Sequence, residues 1–563
     1  MGNAQTTTNH HYHSQAASVK FKDITSSAVN RAILHRIKNN DPSLIRLCID
    51  ATDEDHDANV AALFQPRESD DLGWLGFFIG ENMTLKSLYI YYLPMCKDQI
   101  GRLFNGLEHN KSIKEVEFSP VVGSPVESFS SIILPHVATM RVGYNLLDRE
   151  KVRCIAVGLQ RCKSLVNYSG PIAEEIVTSL LTLPMLEKVN VWVEDDIPIS
   201  RDECLALRRF LGESTSVRYL HICNAGLGND GLELLVEGLA CNTSLIDGVL
   251  DLSRNAIDDQ GFQALASCLA SNDNLRTLHL RLTNNNIGDA GLEALAPLPL
   301  RQLSLSGNIS ITEIGVTAIS RALSTPNTSL EHLCLGGINI GDMGLSVLAE
   351  VLGQNKTLKS LVVGHVDDEG ACALAAAIGV NTSLTSLKFD GERITSIGWN
   401  ALLKSLCDTS SPHNTHLSNH TLRDLSLPNV DTSAIQERIR TSIIRYLRVN
   451  KDYHEQHLAA KHKILTSFPH INITPLLEWR LKTLPFVKNW FDTVTSSNES
   501  FAASIESRKL SAVYQFVKGE PLLVVERAAC AAELELDSYV WALVKLGAFT
   551  LAAVIVGIIW IAK

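Results

Sequence analysis

The chain has 563 residues, of which 45% are hydrophobic, 20% charged and 6% aromatic, and its formal net charge is −11. That apolar share excludes a disordered chain and supplies the side chains for a large core. The negative balance provides no global field for DNA or RNA, so no nucleic-acid partner is expected.

Met1–Gln15 (MGNAQTTTNHHYHSQ) contains no apolar run, so no secretory signal peptide and a cytosolic start are expected. Residues 1–17 read as a disordered polar tip. Met1-Gly2-Asn3-Ala4-Gln5-Thr6 fits M-G-x-x-x-[ST], which makes Gly2 a candidate for N-myristoylation, against the alternative of an unmodified flexible end. His10, His11 and His13 read as part of a solvated tail rather than as metal ligands. Residues 18–42, with Val19–Asn39 as an amphipathic helix, are expected to cover the first repeat and shield the open end of the core.

From about residue 43 the chain repeats itself. A glycine precedes each helix-like stretch at Gly231, Gly261, Gly291, Gly315, Gly344, Gly370 and Gly398, at intervals of 24 to 30 residues. Each unit has two halves. The first reads L-x-x-L-x-L, as in Leu330, Leu333, Leu335 or Leu384, Leu387, Phe389, and ends with the alternation of a strand. The second reads G-x-x-x-L-x-x-x-L, as in Gly344, Leu348, Leu352, with helical spacing. A strand and helix this short cannot bury their apolar faces alone, whereas stacked copies can. The expected fold is therefore α/β: a solenoid with a parallel concave sheet and convex helices. Weaker triplets extend it, from Leu44, Leu47, Ile49 to Leu422, Leu425, Leu427, and the period blurs over Val121–Leu183.

Asparagines recur three residues before the first apolar position, at Asn82, Asn110, Asn242, Asn272, Asn327, Asn355, Asn381 and Asn419. All but Asn272 also read N-x-[ST]. Their fixed phase at the helix end favours a cap in the left-handed conformation over glycosylation.

After Leu427 the triplets stop. Residues 431–539 are expected to form a helical C-terminal cap or linker. Between Ser433 and Lys488 ten Lys/Arg stand against four Asp/Glu, a local net of +6. The run suits either an anionic membrane or, as preferred here, the solvated face of a cap.

Leu546–Ala562 is 17 residues without a charge, and extending back to Val540 gives 23, interrupted only by Lys545. At about 1.5 Å per residue that length matches a bilayer core of about 30 Å. Trp541 and Trp560 lie where interfacial aromatics belong, and Lys545, beside Leu546, sits one turn inside the end, where it can snorkel. Residues 540–562 are thus expected to be a transmembrane tail anchor, with the repeats facing the cytoplasm. The competing reading is a soluble adaptor whose last helix is buried.

Chemistry is sparse. No P-loop, G-x-S-x-G, H-E-x-x-H, EF-hand or kinase motif occurs, so no catalytic residue, cofactor or small-molecule substrate is expected. The twelve cysteines contain no C-x-x-C, and the closest pair, Cys154 and Cys162, is spaced for neither zinc nor redox work, which leaves reduced, buried thiols and no metal site.

Taken with L-x-x-L-x-L-x-x-N-x-I-x-D-x-G, seen at Asn255, Ile257, Asp259 and Asn285, Ile287, Asp289, the array over residues 43–430 resembles the leucine-rich repeat in its ribonuclease-inhibitor-like subclass. The resemblance implies that Asn255, Asn285 and Asn308 hydrogen-bond the turn backbone after the strand. It also implies a concave face that binds a protein partner. The outward positions are Arg218, Tyr219, His221, Asp251, Ser253, Arg281, Arg301, Gln302, Ser304, Glu331, His332, Lys359, Ser386 and Lys388, with Tyr and Arg the types that most often dominate interfaces. The leading function is a non-catalytic, membrane-tethered interaction scaffold. The alternative is a regulator of a small GTPase, because Ran-GTPase-activating proteins carry a similar array.

Overall fold

The computed structural model describes residues 12–468, apart from 52–61, 68, 92, 94–96, 119–135, 144–148, 192, 194–196, 296–299, 326–328, 428–433 and 454. Gly2 and the segment 540–562 lie outside the described residues. Two compact units are formed, one from residues 1–374 and 383–394, the other from 375–382 and 395–563.

In the larger unit, leucine triplets become strands one after another. The first six are β1 (Arg46–Ile49), β2 (Leu63–Phe64), β3 (Ser87–Ile90), β4 (Glu115–Phe118), β5 (Thr139–Val142) and β6 (Asn167–Gly170). Then follow β7 (Lys188–Val191), β8 (Tyr219–His221), β9 (Val249–Asp251) and β10 (His279–Arg281). The last four are β11 (Gln302–Ser304), β12 (His332–Cys334), β13 (Ser360–His365) and β14 (Ser386–Asp390). They lie in one parallel sheet in sequence order, except that β2 pairs outside β1 and forms the edge. Nothing in the leucine pattern announces β2.

The register aligns equivalent positions. Leu220, Leu250, Leu280, Leu303 and Leu333 stand side by side on successive strands, all buried. Each such side chain contributes about 2 kcal/mol of transfer free energy. Helices such as Gly228–Ala240 and Asp259–Ser271 cover them with their own buried Leu232, Leu235 and Leu239, or Phe262, Leu265 and Leu269. The blurred stretch 121–183 contains two further strand–helix steps, with helices Arg149–Leu159 and Glu174–Leu180. Met140 and Tyr168 occupy the leucine row there. The Tyr168 hydroxyl donates to Pro171 O (2.8 Å), and a Cβ on Gly170 would come within 2.9 Å of that hydroxyl, so glycine makes room for the larger ring.

Two asparagine ladders satisfy the backbone groups left over at helix ends and turns. In the first, Asn110 Nδ2 donates to Ile79 O and Asn82 O of the preceding unit, while its Oδ1 accepts from Ser112 N and Ile113 N. Asn82, Asn242, Asn272 and Asn355 repeat the arrangement. The cap reading holds, but its conformation does not. Asn82, Asn272 and Asn355 are extended, at φ −74°, −104° and −68°, rather than left-handed. The chain turns straight into the next strand, and the side chain, not an αL backbone, closes the helix. In the second ladder Asn255 Oδ1 accepts from Ala225 N and Leu227 N, Asn285 Oδ1 from Asn255 N and Ile257 N, and Asn308 Oδ1 from Ile287 N, as the resemblance implied.

At the N-terminal end the expected single helix is split into Phe21–Ile24 and Ala28–Lys38. Ser27 Oγ caps the second by accepting from Asn30 N (3.2 Å). Tyr12 is buried and lies edge-on against Trp74 at 4.8 Å, so the segment read as a disordered tip is anchored at Tyr12.

The smaller unit has helices Ser396–Leu406, Pro412–Leu417, Ala434–Asp452 and Gln456–Ser467. Asn419 and Asn450 continue the ladder within it. Lys463, read as part of a solvated basic face, is instead fully buried, and its Nζ donates to Leu406 O and Asn419 O (both 2.7 Å). Burial pushes it down to about 7. Among the described residues no helix is long and apolar enough to cross a membrane.

Candidate functional site: the exposed rows of the sheet

Because side chains alternate along a strand, the residues flanking each buried leucine point to the other face. Parallel register turns them into two rows. One runs Arg46, Ser87, Glu115, Thr139, Asn167, Lys188, Tyr219, Val249, His279, Gln302, His332, Ser360, Ser386. The other runs Cys48, Tyr89, Glu117, Arg141, Ser169, Asn190, His221, Asp251, Arg281, Ser304, Cys334, Val362, Lys388. Of the expected partner-binding positions, Tyr219, Gln302, His332, Ser386, His221, Asp251, Arg281, Ser304 and Lys388 fall in these rows. Arg218, Arg301, Glu331 and Lys359 immediately precede their strands, and Ser253 follows β9.

Neighbours in the rows are chemically matched. Arg141 bridges Glu115 (2.9 Å) and Glu117 (3.1 Å), and Ser87 Oγ and Tyr89 Oη both donate to Glu115. Tyr91 Oη donates to Glu117, and burial together with that carboxylate raises the phenol well above its ordinary range. Arg301 pairs with Glu331 (3.2 Å), and His365 with Asp390. None of the residues in the Glu115–Arg141 group was singled out in the sequence: Arg141 lies where the period blurs, and the others find their partners about one repeat away.

The densest cluster centres on Asp251. Its Oδ1 accepts from Ser253 N (3.1 Å) and Ser253 Oγ (2.6 Å), and its Oδ2 lies 3.6 Å from both His221 Nδ1 and Arg281 Nη1. Burial alone would raise this carboxyl, but His221, Ser253 and the Cys223 thiol outweigh it and hold Asp251 below the usual carboxylate range. Cys223, one turn of the strand alternation beyond His221, completes the group. Sequence reading passed over it because its partner Asp251 lies a whole repeat away. Although the residue as a whole is exposed, desolvation of its sulfur and the Asp251 charge push the thiol up to about 12, so it is protonated at neutral pH and is not the thiolate a nucleophile requires. Cys223, Cys241 and Cys372 are exposed, against the expectation of uniformly buried thiols. Further along, burial and the charges of Arg301, His332 and Arg281 lower His279.

A strand–turn–helix unit stacked in parallel defines a solenoid repeat protein. A family model described as Leucine Rich repeat matches residues 249–266 and 274–296, so the chain carries leucine-rich repeats. NACHT, LRR and PYD domains-containing proteins 4C and 4E of Mus musculus are each 32% identical over 128 residues, which is 22% of this chain and 13% of theirs. The chain thus spans 13% of the length of those curated relatives. Among solved structures, leiomodin-1 actin-binding site 2 is 22% identical, covering 30% of this chain and 88% of its own, with a TM-score of 0.25. Yeast Rad7 in complex with Elc1 gives 17%, 55%, 78% and 0.34 for the same quantities, and an internalin of Listeria monocytogenes 15%, 72%, 97% and 0.30.

Proposed function

We propose that this chain is a non-catalytic interaction scaffold, tethered to a membrane and facing the cytoplasm, that binds a protein partner across the exposed rows of its sheet. The observation that supports it is the continuous register of two outward rows from β1 to β14, mostly polar or charged and interrupted by the apolar Val249 and Val362. Tyr219, Arg281 and Arg301 combine exposed, rotamer-rich or aromatic surface with hydrogen-bonding ends, the combination that concentrates interface energy. The tether rests on sequence: 23 residues from Val540 to Ala562 with one charge, and Gly2 in an acylation context.

Site-specific photo-crosslinking tests the binding half. A crosslinker at Tyr219 should capture a partner that one at helix residue Ile314 does not, and Arg281→Glu with Arg301→Glu should abolish that capture; preferential capture from Ile314 overturns the reading. For the tether, full-length chain should resist carbonate extraction and chain lacking 540–563 should not. Release of both to the same extent refutes it.

A further inference from the structure

We propose that His221, Cys223 and Asp251 form a binding site for a divalent transition-metal ion of the zinc class. This goes beyond the scaffold reading and does not depend on it. His221 and Cys223 are two apart along one strand direction and therefore share a face, and Asp251 stands directly opposite His221 in the register of β8 and β9. The imidazole nitrogen, the thiol sulfur and a carboxylate oxygen all lie within 4.8 Å of one another.

A four-coordinate zinc with bonds of about 2.0–2.3 Å holds its donors roughly 3.3–3.8 Å apart. The His221 Nδ1–Asp251 Oδ2 separation of 3.6 Å already falls in that range, and the Cys223 thiol already bonds Asp251, so a small rotation completes the set. One sulfur, one nitrogen and one oxygen donor suit zinc and its cobalt surrogate, and disfavour magnesium or calcium, which take oxygen ligands.

The outer contacts are arranged as such a site needs. Ser253 holds Asp251 Oδ1 through both its backbone N–H and its hydroxyl, leaving Oδ2 turned to the cluster. Arg281 is the competing cation on that oxygen. Its side chain is about half exposed, so it can swing to solvent when a metal takes its place. On ligation the Cys223 S–H bond is replaced by a sulfur–metal bond and the proton leaves to water. Three protein donors leave a fourth position, filled by water, on the exposed face of the sheet.

The test uses the full chain, stripped with chelator and titrated with Co2+. The expected result is one equivalent bound, with a sulfur-to-cobalt charge-transfer band in the near ultraviolet and tetrahedral bands in the visible, all displaced by Zn2+. Cys223→Ser should lose the charge-transfer band, His221→Ala should weaken binding at least tenfold, and Ser253→Ala should weaken it about tenfold through the carboxylate it orients. Removing His10, His11 and His13 together should leave the band intact. Zinc-edge absorption on the wild-type chain should show one sulfur among four light neighbours. A band that survives Cys223→Ser, its loss on removing the three N-terminal histidines, or a cobalt spectrum without any sulfur band overturns the assignment. Cys223→Ser must retain the wild-type thermal transition without metal, since the residue is exposed; if it does not, the zinc-edge count on wild type decides.

Discussion

Asn110→Ala probes what holds one repeat to the next. The side chain is 1% exposed and makes four bonds of 2.6–2.9 Å: Nδ2 to Ile79 O and Asn82 O, and Oδ1 from Ser112 N and Ile113 N. The two carbonyls are cushioned, because Ile79 O also accepts from Asn82 N and Asn82 O from Ser112 Oγ. The two amides have the asparagine oxygen as their partner. Leaving each of those N–H groups unmet in the interior costs about 1–3 kcal/mol, and the lost second bonds to the carbonyls add about 0.5–1.5 kcal/mol each. The sum is about 3–9 kcal/mol, a large share of the roughly 5–15 kcal/mol that keeps a domain folded. Denaturant unfolding of the full chain should record that loss. Hydrogen exchange should localise it to the steps around 72–118, because stacked repeats can open in part. Asn110→Asp separates the roles: it keeps the acceptor for the two amides but sets a buried carboxylate oxygen against two carbonyls, so it should destabilise at pH 7 and recover as the pH falls and the carboxyl, raised by burial, protonates and donates again. A loss under about 1 kcal/mol in Asn110→Ala, or a glycan on Asn110, would refute the reasoning.

Two further outcomes follow from close packing and from a buried charge. A Cβ on Gly106 would fall 2.2 Å from the backbone carbon of Gly76, so Gly106→Ala must push helix Leu72–Glu81 away from Lys97–Leu107; denaturant melts should show about 1–3 kcal/mol lost, and an unchanged midpoint would contradict the packing. Lys463 titrates at about 7 in the folded chain and near 10.4 when unfolded, so between those values the unfolded state holds the extra proton and stability rises with pH. The difference in unfolding free energy between wild type and Lys463→Met should therefore grow in favour of wild type from pH 7 to 9.5, and parallel curves would show that the lysine is not held neutral.

The repeat was readable because leucine spacing and the helix glycine recur in phase, and the Asn255–Asn285–Asn308 ladder could be placed from them. What failed to show has physical causes. Tyr168 with Gly170 does the work of a leucine by exchanging volume between neighbours, which a leucine template does not detect. β2 is a two-residue edge strand, too short to carry a period. Lys463 looked like surface because lysine is almost never buried unpaired, yet here two carbonyls at the ends of helices receive its donors. Cys223 and the Glu115–Glu117–Arg141 group were invisible for another reason: their partners lie about one repeat away in sequence and meet only when the register is known.

That register also constrains how the exposed face can recognise anything. Several of its charges are matched from strand to strand: Arg141 with Glu115 and Glu117, Arg281 with Asp251, Arg301 with Glu331. The face is therefore a mosaic of short dipoles rather than a field of one sign, and beyond a Debye length of about 10 Å it offers little to steer a charged partner. Half-exposed pairs of this kind contribute about 0–1 kcal/mol to the fold. A partner carboxylate that takes Arg301 from Glu331 consequently disturbs little stability, while the leucine rows and asparagine ladders beneath stay as they are. The leucine rows that carry the fold and the exposed positions proposed for recognition sit on opposite faces of the same strands, so an exposed position such as Arg281 can be changed without disturbing the rows that align the repeats.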